Sequence, residues 1–94
     1  NKYQNDNTTD STLSLGEIKK KIESFNIIYN KANGQSVEEI SRVFSATNNQ
    51  ISFIHLETTK GAGVEFMNGG DWHAKIPNKD EYEKALKELH LNYN

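Results

Sequence analysis

The sequence predicts an α+β fold, a three-stranded antiparallel sheet with helices on one face, behind a disordered N-terminal tail. Three helix starts share one capping pattern, the stretch 50–77 is rich in β-branched and aromatic residues, and residues 1–12 are almost entirely polar. A chain of 94 residues has room for one domain. We therefore expect a tail over residues 1–13 and a single domain over 14–94, with the element order α-α-β-β-β-α.

Residues 1–12 of the predicted tail contain one large apolar side chain, Tyr3, among Asn, Thr, Ser, Asp, Lys and Gln. Such a segment buries too little apolar surface to offset the entropy lost on ordering. The first residue is Asn rather than Met. This favours an exported or surface-anchored protein after processing, with a cytoplasmic protein as the alternative.

Each of the three predicted helices begins with a capping residue three positions before a Glu, at Ser14, Ser36 and Asn78. The cap accepts a hydrogen bond from the first turn, and the Glu can reach back to the N–H of the cap. Apolar residues follow at helical spacing. The sets are Leu15, Ile18, Ile22 and Phe25, then Val37, Ile40, Val43 and Phe44, then Tyr82, Ala85, Leu86 and Leu89. Residues 25–30 continue the first set but have β-rich composition, so a short strand is the alternative there.

Residues 51–58 have apolar side chains on both faces, which predicts a central strand. A turn is expected at Lys60-Gly61-Ala62-Gly63. The segments 64–67 and 72–76 flank Asn68-Gly69-Gly70-Asp71, a pattern that predicts a β-hairpin. A three-residue loop there places the apolar residues of both segments on one face.

Composition limits the chemistry and the partners. The chain has no cysteine, which excludes disulfides, thiolate metal sites and cysteine nucleophiles. No run approaches the ~18 apolar residues of a membrane-spanning helix. Residues 36–94 carry six Lys and Arg against nine Asp and Glu. Because a nucleic-acid site needs a basic face, this balance disfavours nucleic acid and leaves another protein as the expected partner.

Candidate catalytic residues are few. His55 and His73 fall on neighbouring predicted strands, and with Lys60 they could perform acid–base cleavage of RNA. The alternative interpretation is that these are ordinary, partly exposed histidines. No spacing typical of metal ligands or of a phosphate-binding loop occurs, so we predict neither a metal nor a cofactor.

A protein-binding surface is predicted on the outward side of the hairpin. Met67, His73 and Lys75 share its polar face, and Trp72 is of a residue type enriched at protein interfaces. An open sheet edge would also allow a homodimer or the addition of a strand from a partner.

Residues 36–92 resemble the HicA family of bacterial mRNA-interferase toxins. The resemblance rests on Lys60-Gly61-Ala62-Gly63-Val64-Glu65-Phe66, which is similar to the Lys-Gly-Ser-His-x-x-Phe segment of that family, and on Asn68-Gly69-Gly70 and Ile76-Pro77. It implies a fold like that of double-stranded-RNA-binding domains and a ribonuclease activity. Gly63, however, occupies the position of the catalytic His of the family.

Two functions from different classes follow. The first is a non-enzymatic protein-binding module, such as an immunity or inhibitor protein, a mobile-element accessory protein or the globular part of a lipoprotein. The second is a HicA-like ribonuclease, or a degenerate RNA-binding relative of one. The absence of an assembled catalytic group in the sequence favours the first.

Overall fold

The computed structural model describes residues 1–47 and 49–93. Asn48 and Asn94, which belong to the predicted domain 14–94, lie outside the described residues. The chain forms two compact units, one made of residues 14–58 and the other of residues 1–13 with 59–94. Compactness alone does not make either unit a domain, so the single domain over 14–94 stays a prediction.

The unit 14–58 is a β–α–β arrangement preceded by a short helix. Its elements are α2 (Ile18–Glu23), β3 (Ile28–Asn33), α3 (Val37–Ser45) and β4 (Ser52–Glu57). The two strands are parallel, with Ile28 opposite Ser52 and Asn33 opposite Glu57. Both helices contact β3.

The helix α3 begins where the sequence predicts it. The Ser36 hydroxyl accepts a hydrogen bond from the Glu39 N–H at 3.2 Å, which confirms this cap. The Glu39 carboxylate does not return to the cap but accepts from the N–H of Asn33 at 2.8 Å, at the end of β3. Val43 of α3 and Ala32 of β3 are the buried apolar residues of this unit. The Glu39 bond and this packing join α3 to β3.

The other unit contains the remaining elements. They are β1 (Tyr3–Gln4), β2 (Asn7–Thr8), α1 (Thr9–Leu13), a 3₁₀ helix (Glu65–Met67) and α4 (Lys79–Tyr93). The first two strands pair antiparallel, with Tyr3 opposite Thr8. Among the residues of this unit whose burial is described, Val64 and Ala85 are the buried apolar ones.

The start of α4 is the most complete cap in the described part of the chain. The Asn78 side chain accepts from the Glu81 N–H at 2.9 Å, and the Glu81 carboxylate accepts from the Asn78 N–H at 2.8 Å. This reciprocal pair confirms the predicted capping box. The first predicted start differs, because α2 begins at Ile18 after Glu17 and has no side-chain cap bond, so Ser14 does not cap a helix.

The predicted three-stranded antiparallel sheet is wrong. Within residues 1–47 and 49–93 the strands form two separate pairs, the antiparallel pair β1–β2 and the parallel pair β3–β4. The continuous helix over residues 14–29 is wrong too, and the strand alternative for residues 25–30 is correct for residues 28–30, where β3 begins. Asn26, with a φ of +57°, breaks the helical path after α2, and the β-branched Ile27 and Ile28 lead into β3.

The predicted hairpin over residues 64–76 is also wrong. Glu65–Met67 is a 3₁₀ helix, and no strand is assigned between residues 58 and 78. Gly61, Gly63 and Gly69 have positive φ, which turns the backbone repeatedly instead of extending it. The Trp72 indole N–H donates to the Phe66 carbonyl at 3.0 Å, so the two segments meet through a side chain and not through a strand ladder.

The predicted disorder of residues 1–13 is not what the structure has. This segment is the β1–β2 hairpin followed by α1. Its contacts lie with the loop 60–73 of the same unit, where Lys60 donates to the carbonyl of Asn5 and the His73 N–H donates to the Asp6 carboxylate. Long-range bonds of this kind supply stabilisation that the composition of the segment alone does not reveal. Among the described residues, no helix is long and apolar enough to span a membrane.

Candidate functional site

A glycine-rich loop that starts at Lys60 brings backbone segments into close contact. Gly61 has a φ of +79°, and a Cβ there would lie 2.1 Å from the carbonyl oxygen of Met67. The Gly69 N–H donates to the Lys60 carbonyl at 3.2 Å. The two halves of the loop therefore lie backbone to backbone, at a distance that only glycine permits.

Lys60 joins this loop to the N-terminal hairpin. Its ammonium group donates to the carbonyl of Asn5 and, at 3.4 Å, to the carbonyl of Gly70. It also lies 5.8 Å from the centroid of the Tyr3 ring. A cation placed between carbonyl oxygens and an aromatic face is held in position by both. Lys60 is thus a half-buried cross-link of the loop.

The tip of the hairpin packs against the second glycine pair. A Cβ on Gly70 would lie 2.0 Å from the carbonyl oxygen of Asp6. The Asp6 carboxylate accepts from the His73 N–H at 3.2 Å, and the His73 side chain is exposed. Both glycine contacts and the two bridging side chains therefore converge on residues 60–73.

Two of the predicted binding residues are in direct contact. The Lys75 ammonium lies 4.0 Å from the centroid of the Trp72 ring and 3.2 Å from the Glu81 carboxylate. The Trp72 ring packs edge-on against Phe66, with centroids 5.4 Å apart. Met67 is half-buried. The proposed binding role of Met67, Trp72, His73 and Lys75 stays a prediction.

His55 lies in the unit 14–58, whereas His73 and Lys60 lie in the other unit. The Tyr29 hydroxyl and His55 Nδ1 are 2.5 Å apart, which is a short hydrogen bond between β3 and β4. The Tyr29 ring is stacked on Phe53, with centroids 6.0 Å apart. The joint catalytic use of His55, His73 and Lys60 stays a prediction, while the contacts of His55 show a cross-strand structural role.

An ion pair extends the same row of cross-strand contacts. Lys31 and Glu57 are 2.8 Å apart, and the hydrogen bond from Glu57 raises the pKa of Lys31 above its ordinary value. Both side chains are half-exposed, so the pair contributes little to stability. Among the described residues, no group of His, Asp and Glu is arranged to hold a metal ion.

The carboxyl ends of the two parallel strands are held close together. The Gly34 N–H donates to the Glu57 carbonyl at 2.6 Å. A Cβ on Gly34 would lie 2.4 Å from the Thr58 methyl group. After Thr58 the chain continues directly into the turn at Lys60.

Sequence reasoning missed Asn5, Asp6, Gly34 and Tyr29 as residues that organise these sites. Asn5-Asp6 is a turn dipeptide, and it could have indicated a hairpin within the polar tail. Gly34 and Ser36 mark the connection between β3 and α3. They predict a parallel strand pair only if residues 28–33 are first recognised as a strand. The glycines of the loop were predicted as turns, and the close backbone contact they allow is visible only in three dimensions.

These elements define a mixed α+β protein with a parallel β–α–β unit and a glycine-rich loop that follows it along the chain. No protein-family model matches the chain. It is similar to the A subunit of apulose-4-phosphate transketolase from Phocaeicola vulgatus, with 32% identity over 93 residues. It is also similar to the protein of the same name from Actinobacillus succinogenes, with 33% identity over 92 residues.

Each similarity covers 95% of this chain and 33% of the relative. The chain therefore spans about a third of the length of the curated relatives it matches. Both relatives are named as one subunit of an enzyme.

Proposed function

We propose that this chain works as part of a transketolase subunit that acts on a sugar phosphate together with a partner polypeptide. The observation that carries the proposal is the similarity to two subunits of that name from different bacteria, over 95% of this chain. The predicted function of binding another protein is included in it. A subunit has to contact the rest of its enzyme.

The β–α–β unit is a suitable place for a share of the substrate site. In open α/β sheets, ligands bind outside the carboxyl ends of parallel strands. Here those ends are Asn33 and Glu57, and Gly34 lets the following backbone segments meet. We assign the chain's contribution to substrate binding to this edge.

A segment exchange tests the proposal. The third of the Phocaeicola vulgatus protein that matches this chain is replaced by these 94 residues. The chimaera is combined with the other components of that enzyme and assayed for transketolase activity on apulose 4-phosphate. We expect activity within about tenfold of the parent, a barrier change of about 1.4 kcal/mol.

The control is the same chimaera carrying Gly61→Ala, which should lower activity because the new Cβ meets the Met67 carbonyl. A chimaera that folds and assembles like the parent but gives no turnover would contradict the proposal. The 94-residue chain is assayed against RNA in parallel. Specific cleavage there would support the ribonuclease predicted from the resemblance to HicA, although the element order that resemblance implied is not the one found.

A further inference from the structure

The strand β4 combines the sequence of a central strand with a free edge. Its residues are apolar on both faces, a feature of strands within parallel sheets. In the part of the chain that the structure describes, however, β4 pairs with β3 and with no other strand. Its apolar side chains are partly exposed, with Phe53 38% and Leu56 37% exposed and Ile54 half-buried, and Ile51 just before the strand is 79% exposed.

The free hydrogen-bonding groups of β4 can be identified from the register. The Ile28 N–H donates to the Ile51 carbonyl and the Gly34 N–H to the Glu57 carbonyl, so the odd-numbered residues of β4 face β3. Backbone groups alternate in direction along a parallel ladder. The N–H and C=O groups of Ser52, Ile54 and Leu56 therefore point away from β3.

The outer edge of β3 is built differently. The residues of β3 whose backbone N–H and C=O groups point away from β4 are Tyr29, Lys31 and Asn33. The N–H of Asn33 is already bonded to the Glu39 carboxylate, which caps this edge at the carboxyl end of the strand. Covered backbone groups are a feature of true sheet edges. Only the β4 edge resembles an interior edge left open.

We propose that the outer edge of β4 binds a parallel β-strand from the region that corresponds to the unmatched two thirds of the transketolase relatives. The inference rests on the proposed function. A sheet of two strands is small, since sheets usually have about four to six strands, and parallel sheets have both faces covered. The relatives are about three times as long as the stretch they share with this chain, so they contain the polypeptide needed to extend the sheet.

Amide hydrogen exchange tests this strand addition. Exchange is measured by NMR for the isolated 94-residue chain and for the chimaera described above. We expect protection of the Ser52, Ile54 and Leu56 amides to rise about a hundredfold or more in the chimaera. The outward amides of Tyr29 and Lys31 should change little and serve as the internal control. A rise at Tyr29 and Lys31 without one at β4 would overturn the proposal.

Two proline variants give a second readout. Ile54→Pro and Lys31→Pro each remove one outward N–H, and proline is tolerated only on true edge strands. We expect Ile54→Pro to prevent assembly of the chimaera and Lys31→Pro to preserve it. Equal effects of both variants would contradict the proposal.

The remaining outcomes separate the two proposals. If the isolated chain already protects Ser52, Ile54 and Leu56 in a concentration-dependent way, a second copy occupies the edge and the strand addition is wrong. If the chimaera is active but these amides exchange freely, the proposed function stands and the strand addition fails. If the amides are protected but the chimaera is inactive, the strand addition stands and the proposed function fails.

Discussion

Gly61 is the residue at which backbone conformation and packing constrain the side chain most strongly. Its φ of +79° disfavours any L side chain, and a Cβ would meet the Met67 carbonyl oxygen at 2.1 Å. We expect Gly61→Ala to lower the free energy of unfolding by about 3 kcal/mol or more, since the cost of the positive φ and the displacement of backbone add together. Urea unfolding of the isolated chain and of the variant measures this loss in the free energy of unfolding.

Gly16→Ala is the matched control for this substitution. Gly16 has a φ of +57°, but the nearest neighbour of a Cβ there would be the Lys21 Nζ at 3.5 Å, an ordinary contact distance. It should therefore show the conformational cost alone, about 1–2 kcal/mol. Equal losses for the two variants would mean that the contact with Met67 contributes nothing.

Tyr29 links the two parallel strands through its hydroxyl group. Removing that group in Tyr29→Phe leaves the ring on Phe53 and deletes the bond to His55. We expect a loss of about 1 kcal/mol in unfolding free energy, the usual contribution of one hydrogen bond. Tyr82→Phe, at an exposed position on α4, is the control and should change little. Indistinguishable urea midpoints for the two variants would refute a stabilising role for the Tyr29–His55 bond.

At the scale of single elements, the sequence predicts helix starts better than strand partners. Ser36 and Asn78 cap helices as expected, because a cap and its Glu interact within one turn of the chain. Residues 25–30 satisfy helical spacing and β composition at once, and the pairing of β3 with β4 decides between them. The glycines at 61, 63 and 69 are equally compatible with a hairpin and with the irregular loop that forms. The local sequence pattern cannot distinguish two such conformations when contacts between residues distant in sequence decide which one is more stable.

The capping box of α4 should make the helix sensitive to acid. The N–H of Asn78 first, and then Lys75, lower the pKa of Glu81 below its ordinary value. A carboxyl with a depressed pKa in the folded state stabilises the fold above its unfolded-state pKa, and that stabilisation is lost as the pH falls through the folded-state pKa. We therefore expect the helicity of α4 to decrease on acidification through the Glu81 titration.

Glu81→Gln separates this effect from the other carboxyl groups. The glutamine can still accept from the Asn78 N–H but does not titrate in this range. Circular dichroism and urea unfolding of both proteins across acidic pH should show a stability difference that is largest near neutrality and shrinks toward low pH. A difference that is independent of pH would contradict the role assigned to the Glu81 charge.

At the scale of the whole molecule, the large apolar side chains that the structure describes are exposed more often than they are buried. The buried apolar residues among those described are small or β-branched, namely Ala32, Val43, Val64 and Ala85. Exposed ones include Phe25, Val37, Phe44, Ile51 and Ile76. The sequence predicts which residues are apolar and at what spacing, but the spacing does not say which surface covers them. The open edge of β4 is one place where a further polypeptide would do so.

A small core makes the unit 14–58 sensitive to the loss of few atoms. Val43→Ala removes two buried methyl groups between α3 and β3, which should cost about 1.5–2 kcal/mol. That is a large share of the ~5 kcal/mol at the lower end of domain stabilities. Val37→Ala is the same chemical change on the same helix at an exposed position. Both variants gain the same helix propensity, so this gain cancels when they are compared. The effect of Val37→Ala alone should stay within about 0.5 kcal/mol. Exchange of the Asn30 and Ala32 amides, which face β4, measures both variants. Faster exchange in Val43→Ala alone would show that this contact holds the strand pair together, and equal exchange in both would show that the stability of the unit lies elsewhere.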